Sequence, residues 1–160
     1  MARRVDPAVV EVAVLALWLG AAGFFSTAVA PAVFAVAPTR TLAGEVIGRL
    51  LPSIFYSGIL AGAVLIGLEV WERRHWEWGA REIAGLVMIG ACAIAQLFVG
   101  PRIERLREQI GGPLESLAVD DVRRVAFGRL HGASVAWLGV AMLAAIAALV
   151  LASRANAARH

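Results

Sequence analysis

His131 and Ser134 stand one helical turn apart in a stretch that is otherwise almost entirely apolar, and they are the residues best suited to chemistry. An imidazole can carry a proton or give a lone pair to a metal, and a hydroxyl can both donate and accept hydrogen bonds. Arg129 precedes His131 by half a helical turn, and Gln96 lies deep in an earlier apolar stretch. Arg129, His131, Ser134 and Gln96 together form a candidate polar pocket. A polar group at membrane depth is costly unless it faces a protein interior or a cavity, so each is a functional candidate by default. The plainer reading of each is a hydrogen bond to a neighbouring helix.

Catalytic constellations are missing. No carboxylate is placed to orient His131, and no nucleophile elbow precedes Ser134. Phosphate-binding and dinucleotide glycine motifs are absent, as are paired carboxylates inside the apolar stretches. The expectation is a protein that is not an enzyme and carries no cofactor. A metal site needs several ligands, and His75 and His160 belong to the opposite membrane side from His131. His131 is therefore the sole metal candidate, without partners. Cys92, the single cysteine, excludes an internal disulfide and a cysteine zinc site.

The elements that position these groups follow from where the charges fall. The chain has 160 residues, 60% apolar and 17% charged, against about a quarter charged in an average soluble domain. Four charge-free windows lie between Glu11 and Arg40, Arg49 and Glu69, Glu82 and Arg102, and Arg129 and Arg154. Each is long enough to cross the bilayer, for which about 20 residues suffice. Inside lipid each must be helical, because every backbone N–H and C=O has to be satisfied within its own segment. The spacing predicts a single all-α domain over 1–160, an integral membrane four-helix bundle, with helices over about 9–37, 46–70, 81–110 and 120–153. Met1-Ala-Arg-Arg and Ala28-Val29-Ala30 imitate a signal peptide. Pro31 just after the cleavage-like site, with apolar sequence continuing through Val36, favours an uncleaved first helix.

Trp71, Trp76 and Trp78 sit among charges in the link between the second and third helices, where an interfacial aromatic belt is expected; Trp18 and Trp137 lie deeper and should pack. Between Arg102 and Arg129, Ile103, Leu106 and Ile110 recur at helical spacing, so the third helix should run on as an amphipathic extension to Gly111-Gly112-Pro113. Asp120 and Asp121 then mark the start of the fourth helix. This segment reads as a polar helical elbow, either simply solvated or a docking surface.

Helices one and three leave the membrane through Val29-Ala30-Pro31 and Val99-Gly100-Pro101, and helices two and four return through Gly48-Arg49-Leu50 and Gly128-Arg129-Leu130. Pro31, Pro101 and Arg49 are thus read as structural exit and return positions, and two tandem helical hairpins would explain the pattern. Gly44/Gly48, Gly58/Gly62 and Gly128/Gly132 have the spacing that lets helix backbones approach closely, within the chain or against another protein.

All 15 basic residues are Arg, and they flank the apolar blocks among acids, which argues against nucleic acid as a partner. The expected partners are the lipid bilayer and either other membrane subunits or further copies of the chain, through Gly- and Ala-rich faces. Arg is divided nearly evenly between the two membrane sides, so orientation rests on the first helix, whose flanks favour cytoplasmic termini. A bacterial inner membrane is the expected location.

Leu17-Trp18-Leu19-Gly20, Phe24-Phe25 and Ala30-Pro31-Ala32-Val33-Phe34 resemble the opening of small four-helix membrane proteins related to human transmembrane protein 205, carried in bacteria as a domain of unknown function. Phe127-Gly128-Arg129-Leu130-His131-Gly132-Ala133-Ser134-Val135 is similar to that family's phenylalanine–leucine–histidine–serine motif. Gly44, Phe55-Tyr56 and Pro101-Arg102 also fit. Family members often carry Asn shortly after the serine, whereas this chain has Trp137-Leu138, which removes support for an Asn-dependent site. The animal member is linked with resistance to platinum drugs, so the resemblance implies handling of a metal ion or solute. Two functions stay open: handling of a small solute or metal ion through the polar pocket, or an accessory or scaffolding subunit of a larger complex, respiratory or photosynthetic for example.

Overall fold

In the computed structural model, residues 7–72 and 79–157 are described. They form four helices: α1 (Pro7–Val36), α2 (Arg40–Glu72), α3 (Ala80–Ile110) and α4 (Val122–Ala157). All four are long and apolar enough to cross a membrane, and there is no strand among the described residues. The chain is an all-α four-helix bundle and a multi-pass membrane protein. Trp76, Trp78, Arg73, Arg74 and His75 in the α2–α3 link lie outside the described residues, as do Arg3, Arg4, Arg159 and His160.

α2 begins six residues before the expected position 46. Arg49 is the last charge before the apolar run, but it is not the helix start. The Thr39 hydroxyl accepts the Leu42 N–H at 3.1 Å, an N-cap that begins the helix beyond the membrane. α4 starts at Val122, where the Asp121 carboxylate accepts the Arg123 N–H at 2.8 Å.

Neither α1 nor α3 is a regular helix throughout. At Phe25–Val29 and again at Ile94–Val99 the backbone widens by one residue per turn. The Ala30 N–H reaches back to Phe25 O, and the Gly100 N–H to Ala95 O, five residues in each case. Both wide turns end just before a proline, Pro31 or Pro101. Proline has no N–H and its ring crowds the carbonyl four residues back, so an extra residue in the turn relieves the crowding. In α1 the hydroxyls of Ser26 and Thr27 donate to Ala22 O and Gly23 O at 2.8 and 2.7 Å. The same device at matching positions in helices one and three adds backbone geometry to the two-hairpin pattern of the sequence.

The helices form a ring in chain order. α1 and α3 each pack on both α2 and α4, while the diagonal pairs make few direct contacts. The core runs through Leu15, Trp18 and Ala22 of α1, Phe55 and Leu65 of α2, Met88 and Cys92 of α3, and an alanine face on α4 at Ala141, Ala145 and Ala148. In lipid, close packing rather than apolar burial holds helices together. Gly58 and Gly62 serve this within the chain. A Cβ on Gly58 would stand 2.6 Å from Cys92 Sγ, and one on Gly62 3.2 Å from the Gly85 carbonyl. Trp18 is buried, and its indole N–H donates to Ile54 O at 3.0 Å, tying α1 to α2.

One end of the bundle is closed by charge. Glu11 of α1, Glu69 of α2 and Glu82 of α3 are all buried. The Arg81 guanidinium bridges two of them, at 3.4 Å from Glu11 and in direct contact with Glu69. Glu82 accepts the Gly79 N–H at 2.9 Å and caps α3. Three helices are thereby clamped by one arginine at the level where they leave the hydrocarbon. Replacing Arg81 by Met removes a cation shared by two buried carboxylates and should cost on the order of 3–5 kcal/mol. An SDS unfolding titration should show a clearly lowered midpoint; coincident curves for variant and wild type would refute this role.

Candidate functional site

At the opposite end the bundle encloses a cavity of about 480 Å³. Each wall follows from helical spacing. On α2, Thr41, Gly44, Gly48, Leu51 and Phe55 fall on one face, and on α4 Phe127, His131 and Ser134 do the same. α3 contributes Ala95 and Gln96 from its wide turn, then Gly100, Ile103 and Arg107. Phe34 lines the cavity from the α1 side, and Leu114 from the elbow side. The volume lies within the range of about 300–1,000 Å³ common for small-molecule sites.

Arg107 organises the mouth. It sits on the extension of α3, and its side chain turns back across the bundle. Nη2 donates to Gly44 O at 2.8 Å, Nη1 pairs with Glu104 at 2.8 Å, and the guanidinium lies 5.6 Å from the centre of the Phe127 ring. One residue of α3 therefore joins α2 to α4, the diagonal pair that otherwise barely meets. A Cβ on Gly48 would come within 2.8 Å of Arg107 Nη1, so the Gly44/Gly48 pair is a seat for this guanidinium rather than for another helix. Pro52, inside α2, also withholds the N–H that the Gly48 carbonyl would otherwise receive.

The elbow is pinned over the same mouth. Glu115 reaches 74 residues back to accept the Thr41 N–H at 3.0 Å and the Thr41 hydroxyl at 2.5 Å, and Thr41 Oγ1 accepts the Leu114 N–H at 2.9 Å. A carboxylate is thus placed at the positive end of α2. The hydrogen bond from the Thr41 side chain, helped by backbone N–H groups, holds the Glu115 carboxyl below the usual carboxylate range. Arg124 closes the elbow by donating to Leu117 O at 2.8 Å.

The structure brings Gln96, His131 and Ser134 to the cavity and leaves Arg129 out. Positions 129 and 131 are about 200° apart on a helix, so Arg129 is exposed on the far side of α4. Ser134 is buried, Gln96 half-buried, and His131 exposed at the rim. Among the described residues none hydrogen-bonds the side chains of these three, so the expected interhelical bond from Gln96 is not formed and its amide faces the cavity. No three His, Cys, Asp or Glu among the described residues come together as metal ligands, which leaves His131 without co-ligands there. Pro101 lines the cavity, whereas Arg49 and Pro31 are exposed outside it. A Cβ added to Gly128 or Gly132 would meet nothing within 4 Å, and both glycines face outward.

Sequence reasoning passed over Arg107, Arg40, Thr41 and Glu115. Arg107 read as one more charge of a solvated extension. The available signal was the Gly44/Gly48 pair with Pro52 close behind, a helix face with room and a spare acceptor.

One family model, described as a domain of unknown function (DUF4149), matches residues 13–111. The matched span runs from α1 to the end of α3, so it includes Gln96, Pro101 and Arg107 and stops before His131 and Ser134. No curated protein and no solved structure matches the chain.

Two outcomes are expected. Gly48→Leu should destabilise the protein by about 1–3 kcal/mol through its clash with Arg107, and should cost much less in an Arg107→Ala background. A double-mutant cycle that is simply additive would refute the seat. The Glu115 anchor should depend on pH with the sign of a depressed carboxylate: complete above its ordinary value of 4.5 and lost as pH falls through the lowered one. The protection of the Thr41 and Leu114 amides, taken relative to intrinsic exchange at each pH, should fall on acidification in wild type and be low already at neutral pH in Glu115→Gln.

Proposed function

The chain belongs to this DUF4149 family of unknown function, and we propose, from its cavity, that it is a non-enzymatic membrane protein that holds a small solute at the Arg107 end. The observation that carries the reading is the convergence of Gln96, His131 and Ser134 on one cavity with no hydrogen bond to the described protein. Polar side chains left in that state at membrane depth are expensive, and a ligand with matching donors and acceptors offsets the cost. A solute is favoured over a metal ion, because His131 has no second and third ligand among the described residues.

The finer kinship with transmembrane-protein-205-like proteins rests on the Phe127–Val135 motif, which lies beyond the matched span. Cytoplasmic termini rest on the arginines that flank the first helix, and a bacterial inner membrane rests only on the resemblance to the bacterial members of that family. A second reading, an accessory subunit, draws on Gly128 and Gly132, small residues that face outward with nothing across from them.

Gentle extraction from native membranes followed by native mass analysis decides between these. The expected result is a small molecule bound to the wild-type protein and lost from Ser134→Phe, which blocks the inner end of the cavity, with helicity and elution volume unchanged. A wild-type protein that carries no small molecule but a stoichiometric protein companion would overturn the solute reading in favour of the subunit.

A further inference from the structure

The polar groups of the cavity are segregated by depth. Successive residues of α2 from Gly44 to Phe55 climb about 16 Å at 1.5 Å each, and they carry the cavity from its mouth to its inner end. At the mouth stand Arg40, Arg107 and Glu104, with the Glu115 carboxylate pinned over it on Thr41, and of the two cations Arg107 is the one that turns into the bundle. Arg107 has five N–H donors, of which Glu104 and Gly44 O engage two, so the guanidinium keeps donors for a further acceptor. Between the mouth and the inner end the wall is mainly apolar, with Ile47, Leu51 and Ile103, and His131 of α4 stands at this level on the exposed edge. The inner end, beside buried Phe55 and Ala95, carries Gln96 and buried Ser134. That corner of the bundle also opens sideways: the Ala30–Val36 segment of α1 leans on α2 and makes few contacts with α4, and both Phe34 and His131 are exposed at the gap.

Resting on the solute reading, we propose that the ligand is a two-ended, single-chain amphiphile: an anionic group at Arg107 and Arg40, an apolar chain along α2, and a hydroxyl or carbonyl at Gln96 and Ser134. Its length follows from the cavity. At roughly 1.2 Å of advance per extended chain bond, about 13 bonds span the two polar ends. Its bulk agrees, since 480 Å³ is about sixteen water-sized volumes of ~30 Å³. A two-chain phospholipid exceeds that room. The sideways gap supplies a path from the bilayer, where such a molecule partitions.

The test uses the full-length protein in phosphatidylcholine nanodiscs at mildly alkaline pH, with a diazirine-bearing dodecanoate as the photo-crosslinking probe. Four competitors separate the two ends: dodecanoate, ω-hydroxydodecanoate, dodecanol and α,ω-dodecanediol. The probe should label residues of the cavity wall on α2, α3 or α4, and ω-hydroxydodecanoate should compete best. The diol should be weaker by about tenfold, the scale of one charged hydrogen bond, and dodecanoate weaker by several-fold. Arg107→Gln should shrink the advantage of the hydroxy acid over the diol several-fold, leaving the remainder due to Arg40. Ser134→Ala with Gln96→Leu should erase the preference for the ω-hydroxyl and leave the preference for the carboxylate.

Because the ranking of the four competitors is measured on the wild-type protein, it stands even if Arg107→Gln fails to fold. A diol that competes as well as the hydroxy acid overturns the anionic end, and cavity labelling would still uphold the solute reading. Labelling that misses the cavity walls overturns the proposal. In that case a different small molecule retained through extraction and lost from Ser134→Phe would leave the solute reading intact, and an empty protein would remove both.

Discussion

Everything in this fold answers to one constraint: within hydrocarbon a backbone polar group must find a partner in the protein itself. Four long helices meet it almost everywhere. Three prolines, Pro31, Pro52 and Pro101, break the rule, and the structure answers them with two local arrangements. Before Pro31 and Pro101 the helix widens by a residue, and hydroxyls from Ser26 and Thr27 supplement the carbonyls around the first bulge. At Pro52 the helix continues, and a guanidinium from another helix lies along the turn beneath it. The cavity sits among the latter two features, where regular packing has been given up.

The two ends of the bundle use arginine in opposite ways. At the Glu11 end, Arg81 is enclosed by carboxylates and closes the space between α1, α2 and α3. A buried ion group of this kind adds little net stability over an apolar cluster, but it is costly to break, so it fixes the register of three helices. At the cavity end, Arg107 spans a gap rather than filling it. Its partners are a backbone carbonyl, an exposed glutamate and an aromatic face, each of modest strength, and none uses up the guanidinium. One end is shut by its ion pairs, and the other holds a guanidinium across an open space.

The architecture was legible because lipid makes the sequence simple. Charges bracket the apolar runs, and the number of runs is the number of helices. Pro31 and Pro101 were legible as the places where helices leave the membrane, and the bulges that accommodate them were not. Half of the cavity was legible as well, since His131, Ser134 and Gln96 are polar residues with no soluble surface to occupy. Arg129 shows the limit of that reasoning: proximity in sequence is not a shared helix face, and two residues along a helix is nearly the opposite side. Arg107 and Glu115 were illegible for a different reason. Their partners lie 63 and 74 residues away, at Gly44 and Thr41, and a long charged side chain in an elbow gives no local sign of which way it turns. Glu11 is the same case. It served to mark the edge of a helix and proved to be buried against Arg81.

The Glu115–Thr41 contact also bears on the order in which the molecule is made. Chains are synthesised from the N-terminus, and early segments fold before later ones exist. When α2 first enters the bilayer, Thr39 is its local cap and the carboxylate that completes its first turn has not been translated. The α1–α2 hairpin must therefore insert with its outer end unfinished and wait for α3 and the elbow to arrive. Arg107 comes into place in the same interval, so both fastenings of the mouth belong to the second half of assembly. The first hairpin is thus a provisional structure, which the second hairpin turns into a finished one.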